Sequence, residues 1–101
     1  KGAKGQVSYA TTKGAIISMT KSAAKELAPM QIRVNAVAPG MVGTDRFLKV
    51  FEEKFKEKID DIGMTRLAEP NEIAQLCVFL ASDMSKYITG QIIGIEGSTR
   101  L

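Results

Sequence analysis

Two strand-like segments with helical sequence between them limit what this chain can fold into. Residues 32–38 alternate apolar and polar side chains until the pair Pro39 and Gly40 stops the pattern, and residues 91–95 form a second apolar run after Gly90. The connection is far too long for a hairpin, so we expect parallel strands joined by a right-handed crossover. Because parallel strands normally lie inside larger, helix-covered sheets, the sequence predicts an α/β fold at one edge of a doubly wound parallel-sheet domain.

Three helical patterns accompany the strands. The first covers residues 8–28, where alanine, lysine and spaced apolar side chains run up to Pro29. The second covers residues 44–62 and is amphipathic, either continuous or broken in two. The third has Pro70 in its first turn and is expected to end near Asp83.

The composition narrows the function classes. The chain has 101 residues, enough for one domain or less, and its 14 Lys and Arg are interspersed with 11 Asp and Glu, so we expect no nucleic-acid partner. It has no histidine and one cysteine, which excludes a zinc set or a Ser-His-Asp triad built from this chain alone. Cys77 lies in an apolar run, which predicts a buried, unreactive thiol.

Nothing in the sequence predicts a membrane partner. No apolar run approaches the roughly 20 residues that cross a bilayer, and the basic residues 1–5 lack the apolar core of a signal peptide. The expected compartment is cytoplasmic.

A tyrosine and a lysine lie four residues apart near the start of the first helical pattern. Tyr9 and Lys13 therefore share a helix face. A phenol has a pKa of about 10, and both a fixed cation and a helix N-terminus favour the phenolate and lower that pKa. Tyr9 is thus a candidate general acid/base for a carbonyl or alcohol. Taken alone, this spacing more often means a packed tyrosine beside a solvated lysine.

The sequence of the turn after the first strand would allow a ligand to lie beside it. Pro39 ends strand pairing, and Gly40 has no Cβ to obstruct a flat ring approaching the backbone. A plain strand-ending turn would look the same, so both interpretations stay open.

The order and spacing of these motifs resemble the classical short-chain dehydrogenase/reductase family. The resemblance is carried by residues 6–15 and 33–45 and continues through Arg66 and residues 69–74, 79–83 and 87–91. It implies a Rossmann-like domain, NAD or NADP as the cofactor, and exchange of a carbonyl with an alcohol. The related enoyl reductases have their tyrosine and lysine farther apart, which favours carbonyl chemistry here.

The resemblance also implies roles for single residues. Tyr9 would be the catalytic proton donor in reduction and the acceptor in oxidation, with Lys13 as its catalytic support and a ligand of the nicotinamide ribose. The proline-glycine turn would lie beside the nicotinamide, the backbone around Val42 would bond its carboxamide, and the Thr44 hydroxyl would contact the carboxamide or the pyrophosphate. The implied cofactor-binding residues are Tyr9, Lys13, Pro39, Gly40, Val42 and Thr44.

By the same resemblance, the helical stretch after Thr44 corresponds to a mobile substrate-binding lid. Its apolar side chains would face the bound molecule, although core packing explains them equally well: Phe47, Leu48, Phe51 and Phe55. Asn35 is expected to be structural and to bond backbone near the sheet edge.

The family's glycine-rich phosphate motif and catalytic serine lie upstream of the tyrosine and do not occur here. We therefore expect residues 1–101 to be the C-terminal half of a single domain, without the N-terminal cofactor-binding half. The Glu-Gly-Ser sequence after Ile95 departs from the Asp-Gly-Gly of many members and resembles some bile-acid hydroxysteroid dehydrogenases. Steroid-type and acyl-carrier-protein-linked substrates both stay open.

Two functional hypotheses follow. The whole protein is expected to be an NAD(P)-dependent oxidoreductase acting on a small-molecule carbonyl or alcohol through Tyr9 and Lys13. The isolated residues 1–101 are instead expected to be inactive and to serve as a folding or oligomerisation module, because the anchor for the cofactor phosphates is absent. The resemblance further implies a homodimer or homotetramer, with the first helix packed against its copy.

Overall fold

The described part of the chain contains two helices and two strands. The structure, a computed structural model, describes residues 3–45 and 59–98, apart from the side chains of residues 3–6 and Tyr9. In chain order the regular elements are helix α1 (Ala3–Leu27), a 3-10 turn (Ala28–Met30), strand β1 (Ala36–Pro39), helix α2 (Pro70–Ala81), a second 3-10 turn (Asp83–Ser85) and strand β2 (Ile92–Ile95).

The chain divides into two compact units. The first unit comprises Lys1–Ala36 and Ser85–Ile93, and the second comprises Val37–Met84 and Gly94–Leu101. The boundary between the units falls within both strands.

Helix α1 begins earlier than its apolar spacing predicted. It starts at Ala3 rather than near residue 8, because apolar spacing marks a buried face and not the limits of helical hydrogen bonding. The predicted end is confirmed: Pro29 cannot continue the ladder, so the helix tightens into a 3-10 turn. Gln31, at φ 62°, closes that turn by donating its N–H to the Ala28 carbonyl at 2.9 Å.

Strand β1 begins at Ala36 rather than at residue 32, because side chains replace part of the backbone ladder before it, although the Gly90 N–H still donates to the Val34 carbonyl at 2.8 Å. The Val34 N–H donates to the Thr89 hydroxyl at 3.0 Å, and the Gln91 N–H donates to Asn35 Oδ1 at 3.0 Å. Asn35 Nδ2 donates in turn to the Ile88 carbonyl at 3.0 Å. The structural role predicted for Asn35 is therefore confirmed, and the regular strand begins only beyond it.

The two strands form a parallel pair. In the first unit the Ala36 N–H donates to the Gln91 carbonyl at 2.9 Å, and in the second the Gly40 N–H donates to the Ile95 carbonyl at 3.1 Å. Residue numbers rise together along both strands, as parallel pairing requires. The predicted α/β class is confirmed.

Helix α2 has the start that its sequence predicted. Pro70 stands in the first turn, where its missing N–H costs no helical bond, and Glu72 Oε1 accepts the Glu69 N–H at 2.9 Å. The helix ends at Ala81, short of Asp83, because Ser82 adopts an extended backbone and its hydroxyl donates to the Phe79 carbonyl at 2.8 Å.

Cys77 is exposed on α2, so the prediction of a buried thiol is wrong. Successive helical residues are rotated by about 100°, so the four-residue run that begins at Cys77 cannot face one side. Phe79 and Leu80 take the half-buried positions, whereas Cys77 and Val78 face outward, Val78 with 68% of its surface exposed.

The second predicted helix lies mostly outside the described residues. Asp45 and Ile59–Asp60 have helical backbone, and Ile62 beyond them is buried. The four apolar residues predicted for a lid also lie outside the described part: Phe47, Leu48, Phe51 and Phe55. In residues 3–45 and 59–98, no helix has the length and apolarity needed to cross a membrane.

Candidate functional site

Tyr9 and Lys13 both lie in α1, in the first unit. Backbone positions four apart on a helix lie one above the other on one face. The Lys13 side chain is half-buried, and the neighbouring Thr12 hydroxyl donates to the Ser8 carbonyl at 3.0 Å within the helix. The helix therefore places the Tyr9 and Lys13 positions one turn apart.

The helix N-terminus is too distant from Tyr9 to act on it. Because α1 begins at Ala3, Tyr9 lies about two turns into the helix, whereas the field of a helix terminus fades within its first turn. The prediction that the terminus assists the phenol is wrong. Lys13 is left as the positive group that shares the Tyr9 face of the helix.

Four predicted cofactor residues lie at the end of β1 and directly after it, in the second unit. They are Pro39, Gly40, Val42 and Thr44. The strand ends at Pro39, one residue beyond the predicted end, so Pro39 belongs to the strand rather than stopping it. Gly40 still donates its N–H to the Ile95 carbonyl, so the turn is held directly against β2.

The backbone at Val42 is oriented by a parallel bridge to Ala68. The bridge is made by its neighbours: the Gly43 N–H donates to the Ala68 carbonyl at 2.7 Å, and the Ala68 N–H donates to the Met41 carbonyl at 3.1 Å. Since N–H and C=O groups alternate sides along an extended segment, the Val42 groups are directed to the opposite side. The Val42 carbonyl accepts the Thr44 N–H at 2.8 Å, and Thr44 is exposed.

This segment has the right donor and acceptor chemistry for a carboxamide. An amide group needs a donor for its oxygen and an acceptor for its NH₂. Val42 directs an N–H to the side away from Ala68, and Thr44 adds a hydroxyl that can both donate and accept. The residues present therefore fit the nicotinamide end of a dinucleotide.

An ion pair between Arg66 and Glu72 was missed at the sequence level. Arg66 Nη1 and Nη2 donate to Glu72 Oε1 and Oε2 at 2.8 and 2.9 Å. The hydrogen bond from Arg66, and then the one from the Glu69 N–H, lower the pKa of Glu72 to about 2, and the same pairing raises the pKa of Arg66. The sequence feature that could have indicated this pair is an arginine six residues before the glutamate that caps α2. Within the described residues, no group of three Cys, Asp or Glu side chains is placed to hold a metal.

Comparison with known proteins matches nearly the whole chain. A family model described as enoyl-(acyl carrier protein) reductase matches residues 1–98. A 3-oxoacyl-[acyl-carrier-protein] reductase of Thermotoga maritima is 49% identical over 96 residues, which cover 95% of this chain and 39% of that protein.

Two solved structures from Brucella melitensis are similar in fold. One is a 3-oxoacyl-[acyl-carrier protein] reductase with a TM-score of 0.85 and 41% identity, covering 92% of this chain and 35% of the other. The second, a reductase of the same description with bound NAD, has a TM-score of 0.77 and 39% identity over 92% of this chain and 33% of the other.

The parallel α/β arrangement and these matches define the fold class as that of a Rossmann-like domain. The chain belongs to the short-chain dehydrogenase/reductase family. The resemblance drawn from the motifs is confirmed. The chain spans 39% of the length of the Thermotoga maritima relative.

Proposed function

We propose that these residues are the C-terminal part of an NAD(P)-dependent oxidoreductase domain that interconverts a carbonyl and a secondary alcohol by hydride transfer. The observation that carries the proposal is the pair Tyr9 and Lys13, one turn apart on α1 in a chain of this family. The remainder of the domain, by this proposal, holds most of the cofactor. The coverage of 39% of the Thermotoga maritima relative supports that division.

Tyr9 is the proposed acid/base and Lys13 its electrostatic support. An ammonium one turn away stabilises the phenolate and lowers the tyrosine pKa, so that the hydroxyl exchanges protons near neutral pH. By this proposal Lys13 supplies the effect, since the helix terminus is too distant to contribute. In reduction, Tyr9 gives its proton to the carbonyl oxygen; in oxidation, it takes the proton from the alcohol.

The bound nicotinamide would supply or accept the hydride. Around it, Gly40 would let the ring approach the backbone, because glycine has no side chain beyond its Cα. The Val42 N–H would donate to the carboxamide oxygen, and the Thr44 hydroxyl would bond the carboxamide or the pyrophosphate. Lys13 would donate to the ribose hydroxyls. NAD and NADP both fit, because the group that reads the ribose 2′ position belongs to the remainder of the domain.

The proposed substrate is a 3-oxoacyl-type carbonyl. The matching family model carries an enoyl reductase description, whereas the Thermotoga maritima relative and both Brucella melitensis structures are called 3-oxoacyl reductases. The Tyr9 to Lys13 spacing favours carbonyl reduction, since enoyl reductases resembling this family space the two residues more widely. A steroid-type alcohol is the alternative. We also propose a cytoplasmic homo-oligomer, dimer or tetramer.

A second candidate function is that of a non-catalytic folding or oligomerisation module for the isolated chain. It is supported by three apolar side chains of α1 that are exposed to solvent. The exposed fractions are 66% for Val7, 45% for Ile16 and 64% for Met19. Such side chains pack against a partner surface more favourably than against water.

One experiment separates the two candidates. This chain replaces the matching residues of the Thermotoga maritima reductase, and NADH- and NADPH-dependent reduction of a 3-oxoacyl thioester is measured for the chimera and for the isolated chain. The proposal expects turnover by the chimera alone. A correctly folded chimera without turnover contradicts the catalytic role, and turnover by the isolated chain contradicts both the module function and the need for the remainder of the domain.

A further inference from the structure

The segment that precedes α2, residues 65–68 of the second unit, is fixed by an arginine. Arg66 Nη1 donates to the Leu67 carbonyl at 3.2 Å, and the same guanidinium makes two parallel bonds to Glu72 at 2.8 and 2.9 Å. Glu72 lies in the first turn of α2, where its Oε1 also accepts the Glu69 N–H at 2.9 Å. One side chain therefore ties this segment to the start of the helix.

The geometry of the pair distinguishes it from an ordinary surface ion pair. The side chains of Arg66 and Glu72 are 51% and 36% exposed, and exposed pairs contribute little on average because solvent screens them. A bidentate arginine–carboxylate pair is the exception, since two parallel bonds fix the orientation of the groups as well as their distance. The pair is therefore suited to holding the backbone beside it in place.

The segment needs such a restraint because it begins with a strained residue. Thr65 has a φ of 54°, in the left-handed region that β-branched residues rarely adopt. Strain of this kind persists only where the surrounding contacts hold the backbone. The Thr65 N–H donates to the Ile62 carbonyl at 2.8 Å on one side, and the Arg66 bonds restrain the chain on the other.

The restrained segment leads directly to the backbone at Val42. Ala68 makes both bonds of the bridge to that residue. It accepts the Gly43 N–H at 2.7 Å and donates its own N–H to the Met41 carbonyl at 3.1 Å. Leu67 also packs at Gly43, where an added Cβ would lie 3.5 Å from Leu67 Cδ1. A shift of the segment would therefore move the bridge and turn the Val42 N–H.

We propose that Arg66, through its pair with Glu72, is a positioning residue for the nicotinamide cofactor. It holds the Val42 N–H in the direction that meets the carboxamide. This inference rests on the proposed function, which assigns that bond to Val42. Arg66 acts through Leu67 and Ala68, and no contact between its guanidinium and the cofactor is required.

The first measurement uses no cofactor. Amide hydrogen exchange of this chain is compared for the parent protein, Arg66→Met and Lys25→Met. The last variant removes an exposed cation from α1 and is the matched control. The Gly43 and Ala68 N–H groups are expected to exchange about three- to tenfold faster in Arg66→Met alone. The Ala36 N–H, bonded in the first unit, should not change. Unchanged exchange at both second-unit amides overturns the proposal.

The second measurement separates positioning from a general loss of structure. The chimera with the Thermotoga maritima reductase is titrated calorimetrically with NADH and with ADP-ribose, which lacks the nicotinamide. Arg66→Met is expected to bind NADH about three- to tenfold more weakly, as the loss of one hydrogen bond implies. It should bind ADP-ribose like the parent chimera. A variant that is only less stable would lose affinity for both ligands alike.

Glu72→Gln tests whether the two residues act as a pair. Glutamine can still accept the Glu69 N–H, so the cap of α2 is kept while the charge and one acceptor for Arg66 are lost. The double variant should bind NADH like Arg66→Met, because one interaction can be removed only once. Losses that add in the double variant overturn the pairing.

Failure of this inference and failure of the proposed function give different results. If the parent chimera does not bind NADH, the proposed function fails, and the positioning role fails with it. If the parent chimera binds NADH, the positioning role alone is overturned by an Arg66→Met chimera that binds NADH equally well or that loses NADH and ADP-ribose to the same extent.

Discussion

Arg66 and Glu72 meet through two parallel hydrogen bonds, Nη1 to Oε1 at 2.8 Å and Nη2 to Oε2 at 2.9 Å, and the Glu69 N–H donates to the same Oε1. Three donors on one carboxylate all favour its ionised form. The pair thereby joins the start of α2 to the segment that precedes it.

This relationship predicts a loss of stability in acid. The pKa of Glu72 falls from 4.5 to about 2 on folding, first through the Arg66 hydrogen bond and then through the Glu69 N–H. The stabilisation is therefore present above pH 4.5 and is lost as the pH falls towards 2. The free energy of unfolding, measured in urea between pH 4.5 and 2, should fall less steeply with decreasing pH in Glu72→Gln than in the parent protein. Glu26→Gln is the control, and an unchanged pH profile in Glu72→Gln would contradict the pairing.

Asn35→Asp should destabilise the first unit by about 1–3 kcal/mol at neutral pH. The aspartate can still accept the Gln91 N–H, but it loses the donor to the Ile88 carbonyl and places a charged oxygen against it. The free energy of unfolding is the measurement. Asn71→Asp, at an exposed position in the first turn of α2, should change stability by less than about 0.5 kcal/mol. Equal effects at the two positions would count against the role of Asn35.

Two glycine-to-alanine changes should act in opposite directions. A Cβ at Gly63 would lie 2.8 Å from the Ser98 Cβ and 2.9 Å from its carbonyl oxygen, so Gly63→Ala should cost about 1–3 kcal/mol. A Cβ at Gly14 meets nothing within 4 Å, and Gly14→Ala should stabilise α1 by about 0.5–1 kcal/mol. Thermal unfolding of both variants decides whether residues 63 and 98 pack as described.

Tyr9→Phe should abolish turnover by the chimera with the Thermotoga maritima reductase and leave cofactor affinity nearly unchanged, because only the proton donor is removed. Steady-state reduction and a cofactor fluorescence titration measure the two effects. Tyr87→Phe, at the second and fully exposed tyrosine, is the matched control and should retain activity. Residual turnover of Tyr9→Phe equal to that of Tyr87→Phe would exclude Tyr9 as the acid/base.

Lys13→Met should impair both turnover and cofactor binding, and should move the pH optimum upward as the tyrosine loses its cation. The pH profile of kcat/KM separates this from a purely structural loss. Lys25→Met, in the last turn of the same helix, removes an exposed lysine of equal size and should leave the profile in place. If Lys13→Met lowers kcat/KM without shifting its pH profile, Lys13 does not act on Tyr9.

The local sequence was sufficient for the family, the α/β class, the starts of α2 and of the turn after β1, and the placing of Tyr9 and Lys13 one turn apart. The starts of α2 and of the turn, and the placing of Tyr9 and Lys13, depend on residues within a few positions of one another: a proline, a capping glutamate, or a four-residue spacing on a helix. The α/β class depends on the order of the strand and helix patterns along the chain. The order of the motifs then led to the family, because it is carried by the linear chain.

The tertiary structure decided what depends on distant partners. Strand β1 begins at Ala36 because Asn35 and Thr89 bond backbone across more than fifty residues of chain, and no local pattern encodes that exchange. The outward position of Cys77 and the direction of the Val42 N–H were likewise set by packing and by the bridge to Ala68. Hydrogen bonds and burial between remote segments exist only once the chain is folded, and so they could not be read from the order of its residues.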